Sequence, residues 1–162
     1  MPMLSGIQLV TDPVLVAAVA AFLERPGIRA PLEKLRRRLP ADAEIFVAGG
    51  ALRNLFMEVL LGAAPPTRDV DLFIGGLDAD FDLAAALRGE AVHPTDLKGL
   101  RWRPAGADLA WDLCLLPDFL VIAAYGLAPT LENLLGGIDL TINAVAWDLR
   151  RGRLVEQGCR AA

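Results

Sequence analysis

Phe46-Val47-Ala48-Gly49-Gly50-Ala51-Leu52-Arg53-Asn54, followed after a loop by Arg68-Asp69-Val70-Asp71-Leu72, decides how this chain folds. Glu44 to Ala48 is a short apolar run, the pattern of a buried strand. Gly49-Gly50 breaks it. From Ala51 to Leu61 the residues Leu52, Leu55, Phe56, Val59 and Leu60 recur at helical spacing and predict one apolar stripe. After a loop containing Pro65-Pro66, Asp69 to Ile74 reads as a second strand, ended by Gly75-Gly76. Side chains alternate along a strand, so Asp69 and Asp71 share one face while Val70, Leu72 and Ile74 enter the core.

Two carboxylates side by side repel each other, and a cation between them relieves the cost. Mg²⁺ is commonly held by one or two carboxylates together with substrate phosphates. The same pair suits two ions about 3.5–4 Å apart, one activating an attacking hydroxyl and one stabilising the leaving group. A solvated pair at a strand start is the plain alternative. Gly49-Gly50 lets the backbone approach a ligand, and the helix after it offers free N–H groups and a positive dipole end to a phosphate. Arg53 adds a charge-assisted contact there; a tight turn in a crowded core is the alternative. Asp112, inside the apolar run Ala110-Trp111-Asp112-Leu113-Cys114, is either a third acid of the same site or a residue on a solvent face.

Working outward, Asp12 caps a helix with Pro13 at its first position and Leu15, Ala18, Val19 and Phe22 at helical spacing. Pro26-Gly27 ends it, and a second helix follows from Ala30 to Leu39, with Lys34, Arg36, Arg37 and Arg38 on a solvated face. A short helix is expected over Asp82 to Leu87. Leu97 to Arg103 and Leu109 to Leu116 form a hairpin around Pro104-Ala105-Gly106-Ala107-Asp108, with Arg101 and Arg103 on a face that suits solvent. Pro117 to Leu135 is helical with an interruption near Gly126 and Pro129. Thr141 to Asp148 and Arg153 to Glu156 make a last hairpin around Arg150-Arg151-Gly152. Trp102, Trp111 and Trp147 read as core, and His93 as a loop residue. Strands mixed with helices indicate α+β.

The 162 residues amount to one domain. Hydrophobic residues make up 54% and charged residues 22%, which excludes intrinsic disorder. The mean hydropathy is +0.42, yet the longest apolar runs fall short of the ~20 residues of a membrane span. No basic segment precedes the first apolar stretch, so a signal peptide is not expected. A net charge of −4 and a pI of about 5.0 argue against a broad grip on nucleic acid. Cys114 and Cys159 lie in no metal-ligand spacing, and a reducing cytoplasm suits them. With one histidine and one serine, His-rich mechanisms and serine-hydrolase triads drop out, leaving carboxylates, arginines and glycines for chemistry.

The order strand, Gly-Gly, helix, Asp-x-Asp strand, acidic strand resembles the nucleotidyltransferase superfamily. More narrowly, the two quoted stretches look like the head domain of bacterial-type poly(A) polymerases and CCA-adding tRNA nucleotidyltransferases. Asp139-Leu140-Thr141-Ile142-Asn143-Ala144-Val145-Ala146-Trp147-Asp148 is similar to that family's R-R-D-F-T-I-N-A-L-A-Y-D segment, and Gly152-Arg153-Leu154-Val155-Glu156 to the hairpin after it. The resemblance covers 44–158 and implies a polymerase β-like palm, with about five strands in a mixed or antiparallel sheet and flanking helices. It implies one head domain over 1–162, made of a helical extension over 1–43 and a family-like core over 44–158.

The resemblance further implies transfer of a nucleoside monophosphate from an NTP to a hydroxyl, with release of pyrophosphate. Asp69, Asp71 and Asp112 would be the catalytic and metal-binding acids for Mg²⁺ or Mn²⁺. Gly49, Gly50, Arg53, Asp139 and Asn143 would bind the nucleotide. The acceptor is an RNA 3′ end or another hydroxyl. Two departures stand out, with Gly137-Ile138 where the family has Arg-Arg and Asn54 where it has an acid. The family's neck, body and tail find no counterpart, so the chain is not expected to be a complete CCA-adding enzyme. The high hydrophobicity then suggests an apolar face met by a protein partner or a second copy. The alternative is a non-catalytic or partner-dependent module that retains the fold, in one form half of a toxin–antitoxin pair.

Overall fold

The apolar runs around the Asp-x-Asp strand are adjacent in space as well as in sequence. A computed structural model of the protein describes residues 6–158. Among these, the helices are α1 (Pro13–Glu24), α2 (Pro26–Arg38), α3 (Gly50–Leu61), α4 (Leu83–Ala86), α5 (Leu120–Tyr125) and α6 (Leu131–Gly136). The strands are β1 (Gln8–Leu9), β2 (Glu44–Ala48), β3 (Asp69–Gly75), β4 (Val92–Pro94), β5 (Leu100–Trp102), β6 (Ala110–Leu115), β7 (Val145–Asp148) and β8 (Arg153–Glu156). They form one sheet in the order β1-β8-β7-β2-β3-β6-β5-β4. β3 and β6 run parallel, and the other neighbours are antiparallel. The mixed α+β architecture is as expected, but the sheet has eight strands rather than about five. Two of the additional strands, β1 and β4, are edge pieces of two and three residues, too short to show a period-2 pattern.

Alternation divides the core between the two faces of the sheet. Ile45, Val47, Val70, Leu72, Ile74, Trp111 and Leu113 face α1, α2 and α3, whose Leu15, Val19, Leu32, Leu35 and Leu52 are buried against them. On the other face, Phe46, Ala48, Ala146 and Val155 pack under α5 and α6 through Ile122, Leu131, Leu134 and Leu135. Residues 13–38, within the helical extension expected over 1–43, share a core with β2 and β3.

Local chemistry explains the element boundaries. The Asp12 carboxylate accepts from the Val14 and Leu15 N–H groups and caps α1 as expected. Pro26 starts α2 directly after Arg25 instead of opening a loop, because proline at a first helical position gives up no needed donor. On α3, Leu52, Leu55 and Phe56 are buried, but Val59 and Leu60 are exposed, as the last turn runs past the sheet. Thr141–Asn143 forms a 3₁₀ turn where a strand was expected, and β7 begins only at Val145. His93 lies in β4 and is exposed. Cys159 falls outside the described residues.

Several basic groups have structural partners. Lys34 pairs with Glu90, and Arg38 donates to the Ala86 and Arg88 carbonyls. At the β7–β8 turn, the fully buried Asp148 accepts from the Arg150 and Arg151 N–H groups at 3.1 Å and pairs with the Arg151 guanidinium at 3.0 Å. Arg153 Nε lies 3.5 Å from the same carboxylate. Replacing Asp148 by Ala therefore removes both the cap of the turn and the counter-charge. The expected loss is about 2 kcal/mol in urea unfolding, modest for a buried ion pair because both arginines keep contact with solvent.

Candidate active site

Register across the sheet assembles the site. Ala146, Ala48, Asp71, Asp112, Arg101 and His93 stand opposite one another on β7, β2, β3, β6, β5 and β4. Paired residues point to the same face, so Asp71 and Asp112 are immediate neighbours, with Asp69 two residues along β3. The site lies on the face that α5 and α6 cover elsewhere, at the end of β3 they leave open.

On one side of Asp71 is the β2–α3 turn. Gly49 has φ +80°, a backbone conformation that disfavours any side chain. A Cβ there would also stand 2.9 Å from Asp71 Oδ2. Glycine thus lets the turn close directly onto the carboxylate. Gly49 and Gly50 lead into the N-terminus of the twelve-residue α3, whose first N–H groups have no helical acceptor.

Arg53, in the first turn of α3, is held by amides. Its Nε and Nη2 donate to Asn54 Oδ1 at 3.1 and 2.9 Å, and its Nη1 donates to Asn143 Oδ1 at 3.0 Å. Asn54 is buried and passes its own N–H to Thr67 Oγ1 at 3.2 Å. An aspartate at position 54 would neutralise the guanidinium and could not donate to Thr67. The amide orients Arg53 and leaves its positive charge uncancelled. The structure therefore brings Gly49, Gly50, Arg53 and Asn143 together. Asp139 is exposed in the segment before the 3₁₀ turn, and among the described residues no hydrogen bond or ion pair joins it to this group.

On the other side of Asp71 is a feature the sequence reading missed. Arg101, assigned to a solvent face, turns into the acidic row. Its Nε and Nη2 bind both oxygens of Asp112 at 2.8 and 2.6 Å, and Nη2 lies 3.5 Å from Asp69 Oδ2. The signal was available, since Arg101 and Asp112 lie equally far from the centre of the hairpin turn, as do Trp102 and Trp111. Beyond the pair opens a cavity of about 590 Å³ lined by Asp71, Phe73, Arg101, Asp112, Cys114 and Phe119. The thiol in it is inert, since burial and the nearby Asp118 push the Cys114 pKa up to about 12.

Among the described residues, no group of three His, Cys, Asp or Glu side chains is arranged to hold a metal ion. The Asp69–Asp71 pair nevertheless fits one. Burial, then the charges of Asp69 and Asp112, push the Asp71 pKa up to about 7, with Arg101 opposing. A divalent ion beside Asp71 would relieve that cost.

Solved structures with the same architecture set this geometry in context. The Thermotoga maritima CCA-adding enzyme complexed with tRNA superposes with a TM-score of 0.59 over 97% of this chain and 34% of that one, at 19% identity. A CCA-adding enzyme in complex with ATP gives 0.59 over 97% and 35%, at 20% identity. An apo form gives 0.58 over 96% and 34%, at 23% identity. The chain has the fold of CCA-adding enzymes. At these identities the likeness is one of fold, and the chain spans about a third of the length of each match. The resemblance read from Gly49-Gly50, Asp69-Val70-Asp71 and the 139–148 segment is thus met in three dimensions. No family model matches the chain, and no curated protein matches its sequence. Among the described residues no helix is long and apolar enough to cross a membrane.

The Asp71 shift makes stability depend on pH. Its pKa is higher in the folded chain than the unfolded 3.8, so the folded state binds the proton more tightly between about pH 4 and 7. This contribution is complete below that window and is lost as pH rises through about 7. Asp71→Asn should therefore raise the melting temperature by a few degrees at pH 8 and by much less at pH 5. Thermal unfolding of the two proteins at both pH values, without divalent ions, checks this.

Proposed function

We propose that this chain is a nucleotidyltransferase, moving a nucleoside monophosphate from an NTP to a hydroxyl acceptor and releasing pyrophosphate. One observation carries the reading. The Asp71 carboxylate abuts the glycine turn at the start of α3, so an acidic pair and a helix N-terminus with free N–H groups share one surface. Such a juxtaposition of negative charge and anion site makes sense for a ligand that brings both a cation and phosphates.

In this reading, the Gly49-Gly50 backbone and the first turn of α3 cradle the triphosphate. Arg53, kept charged and oriented by Asn54 and Asn143, draws the phosphate oxygens toward that turn. Asp139, exposed just before the 3₁₀ turn, would border the same pocket. Asp69 and Asp71 would hold Mg²⁺ or Mn²⁺, which when bound neutralises the reacting phosphates and lowers the pKa of a coordinated hydroxyl. Asp112 completes the acidic row beside them. The attacking hydroxyl must come from the side opposite the leaving pyrophosphate. With the phosphates on the Gly49 side, that direction leads to the cavity between β3, β6 and β5. An RNA 3′ end is the first acceptor to test, because a structure sharing the fold holds tRNA.

The test is incorporation of labelled NTPs into RNA and smaller hydroxyl acceptors with Mg²⁺. Asp69→Asn and Asp71→Asn should each lower the rate by about 10²–10³-fold or more, typical of lost charge stabilisation at a reacting centre. Labelling that persists in the double variant would place the chemistry elsewhere. Arg53→Ala should raise the KM for NTP while leaving the fold intact by circular dichroism. Millimolar Mg²⁺ should raise the melting temperature of the wild-type chain at pH 8 and leave that of the Asp69→Asn/Asp71→Asn variant unchanged.

A further inference from the structure

Three carboxylates converge at the open end of β3, yet they are not equivalent. Asp69 and Asp71 have no guanidinium chelating them, whereas both oxygens of Asp112 are bound side-on by Nε and Nη2 of Arg101 at 2.8 and 2.6 Å. This is the two-pronged geometry in which a guanidinium holds a carboxylate most firmly. Arg101 also reaches within 3.5 Å of Asp69, so its positive head spans the cluster. The pairing is built into the sheet, because Arg101 and Asp112 are direct cross-strand partners of the β5–β6 hairpin, and Trp102 and Trp111 anchor that hairpin in the core beside them. Charge gives the same answer. With all three acids ionised, one guanidinium leaves two negative charges, which a single divalent cation balances.

We propose that Arg101 is a built-in cation that occupies the Asp112 side of the site, so that the protein binds one divalent ion on Asp69 and Asp71 rather than two across the row. Arg101 is thus a positioning and specificity residue, fixing Asp112 in place and setting the number of metal ions. The inference rests on the nucleotidyltransferase reading for the presence of a metal ion, but it concerns this chain's own arginine. Arginine is suited to the role because its charge persists at any working pH and its planar fork cannot be reproduced by lysine.

Binding of Mn²⁺ alone to the full chain, followed by calorimetry and by the loss of the free-ion spin-resonance signal, tests it without any turnover. The wild-type chain should bind one equivalent, and Asp112→Asn should still bind one but severalfold more weakly, because the Arg101 charge beside Asp69 is then uncancelled. Arg101→Gln should gain a second equivalent, and Arg101→Gln/Asp112→Asn should lose it again. Arg101→Lys, which keeps a charge, should stay at one equivalent. Circular dichroism identifies variants that unfold, and Arg101→Lys provides the comparison if Arg101→Gln does. Two equivalents in the wild-type chain, or one in both wild type and a folded Arg101→Gln, would overturn this inference while leaving the proposed activity standing. No Mn²⁺ binding in any variant would overturn both.

Discussion

The carboxylate of Asp71 and the backbone of Gly49 press against each other at a distance that admits no side chain between them. Everything at the site follows from that contact. It fixes the end of β2 against β3 and aims the N-terminus of α3 along the acidic face. It also places Arg53, one turn into the helix, on the side of Asp71 away from Asp112. The positive φ of Gly49 gives the strand-to-helix reversal this tightness. A larger residue there would have to move the helix or the acid.

Two opposed electrostatic arrangements flank this contact. On the α3 side a guanidinium is held only by neutral amides and keeps its charge uncancelled. On the β5 side another guanidinium is tied to a carboxylate and has its charge largely cancelled. The difference lies in the residue each arginine meets, Asn54 in the first case and Asp112 in the second. The departure from the acid expected at position 54 therefore has a physical rationale. It turns an internal ion pair into a free positive charge at a helix terminus, where the dipole has the same sign.

Local reading captured β2, α3 and β3 because each carries its signal within a few residues. The apolar run, the glycine pair and the period-2 alternation are short-range patterns. The face shared by Asp69 and Asp71 followed from alternation alone. Arg101 was misassigned because its partner is set by pairing between strands, and alternation says only which residues share a face, not which face is wet. The edge strands β1 and β4 escaped because two or three residues carry no period. Val59 and Leu60 belong to the apolar stripe yet are exposed, because helical spacing describes a stripe but not how far the neighbouring sheet extends beneath it. The 3₁₀ turn at Thr141–Asn143 was read as strand for a related reason. Its backbone is bent so that Asn143 reaches Arg53, a contact between residues 90 positions apart.

That separation has a consequence for how the chain comes into being. β7 lies between β2 and β8 at the middle of the sheet, although about a hundred residues separate it from β2 in sequence. While a ribosome has delivered only the first two-thirds of the chain, the β2 edge facing that slot is bare, and Arg53 lacks one of the amides that orient it. Strand closure over so long a loop is slow compared with local hairpin formation. The Arg53 half of the site is thus among the last parts to be finished. The β5–β6 hairpin, by contrast, joins neighbouring segments and can set Arg101 against Asp112 early.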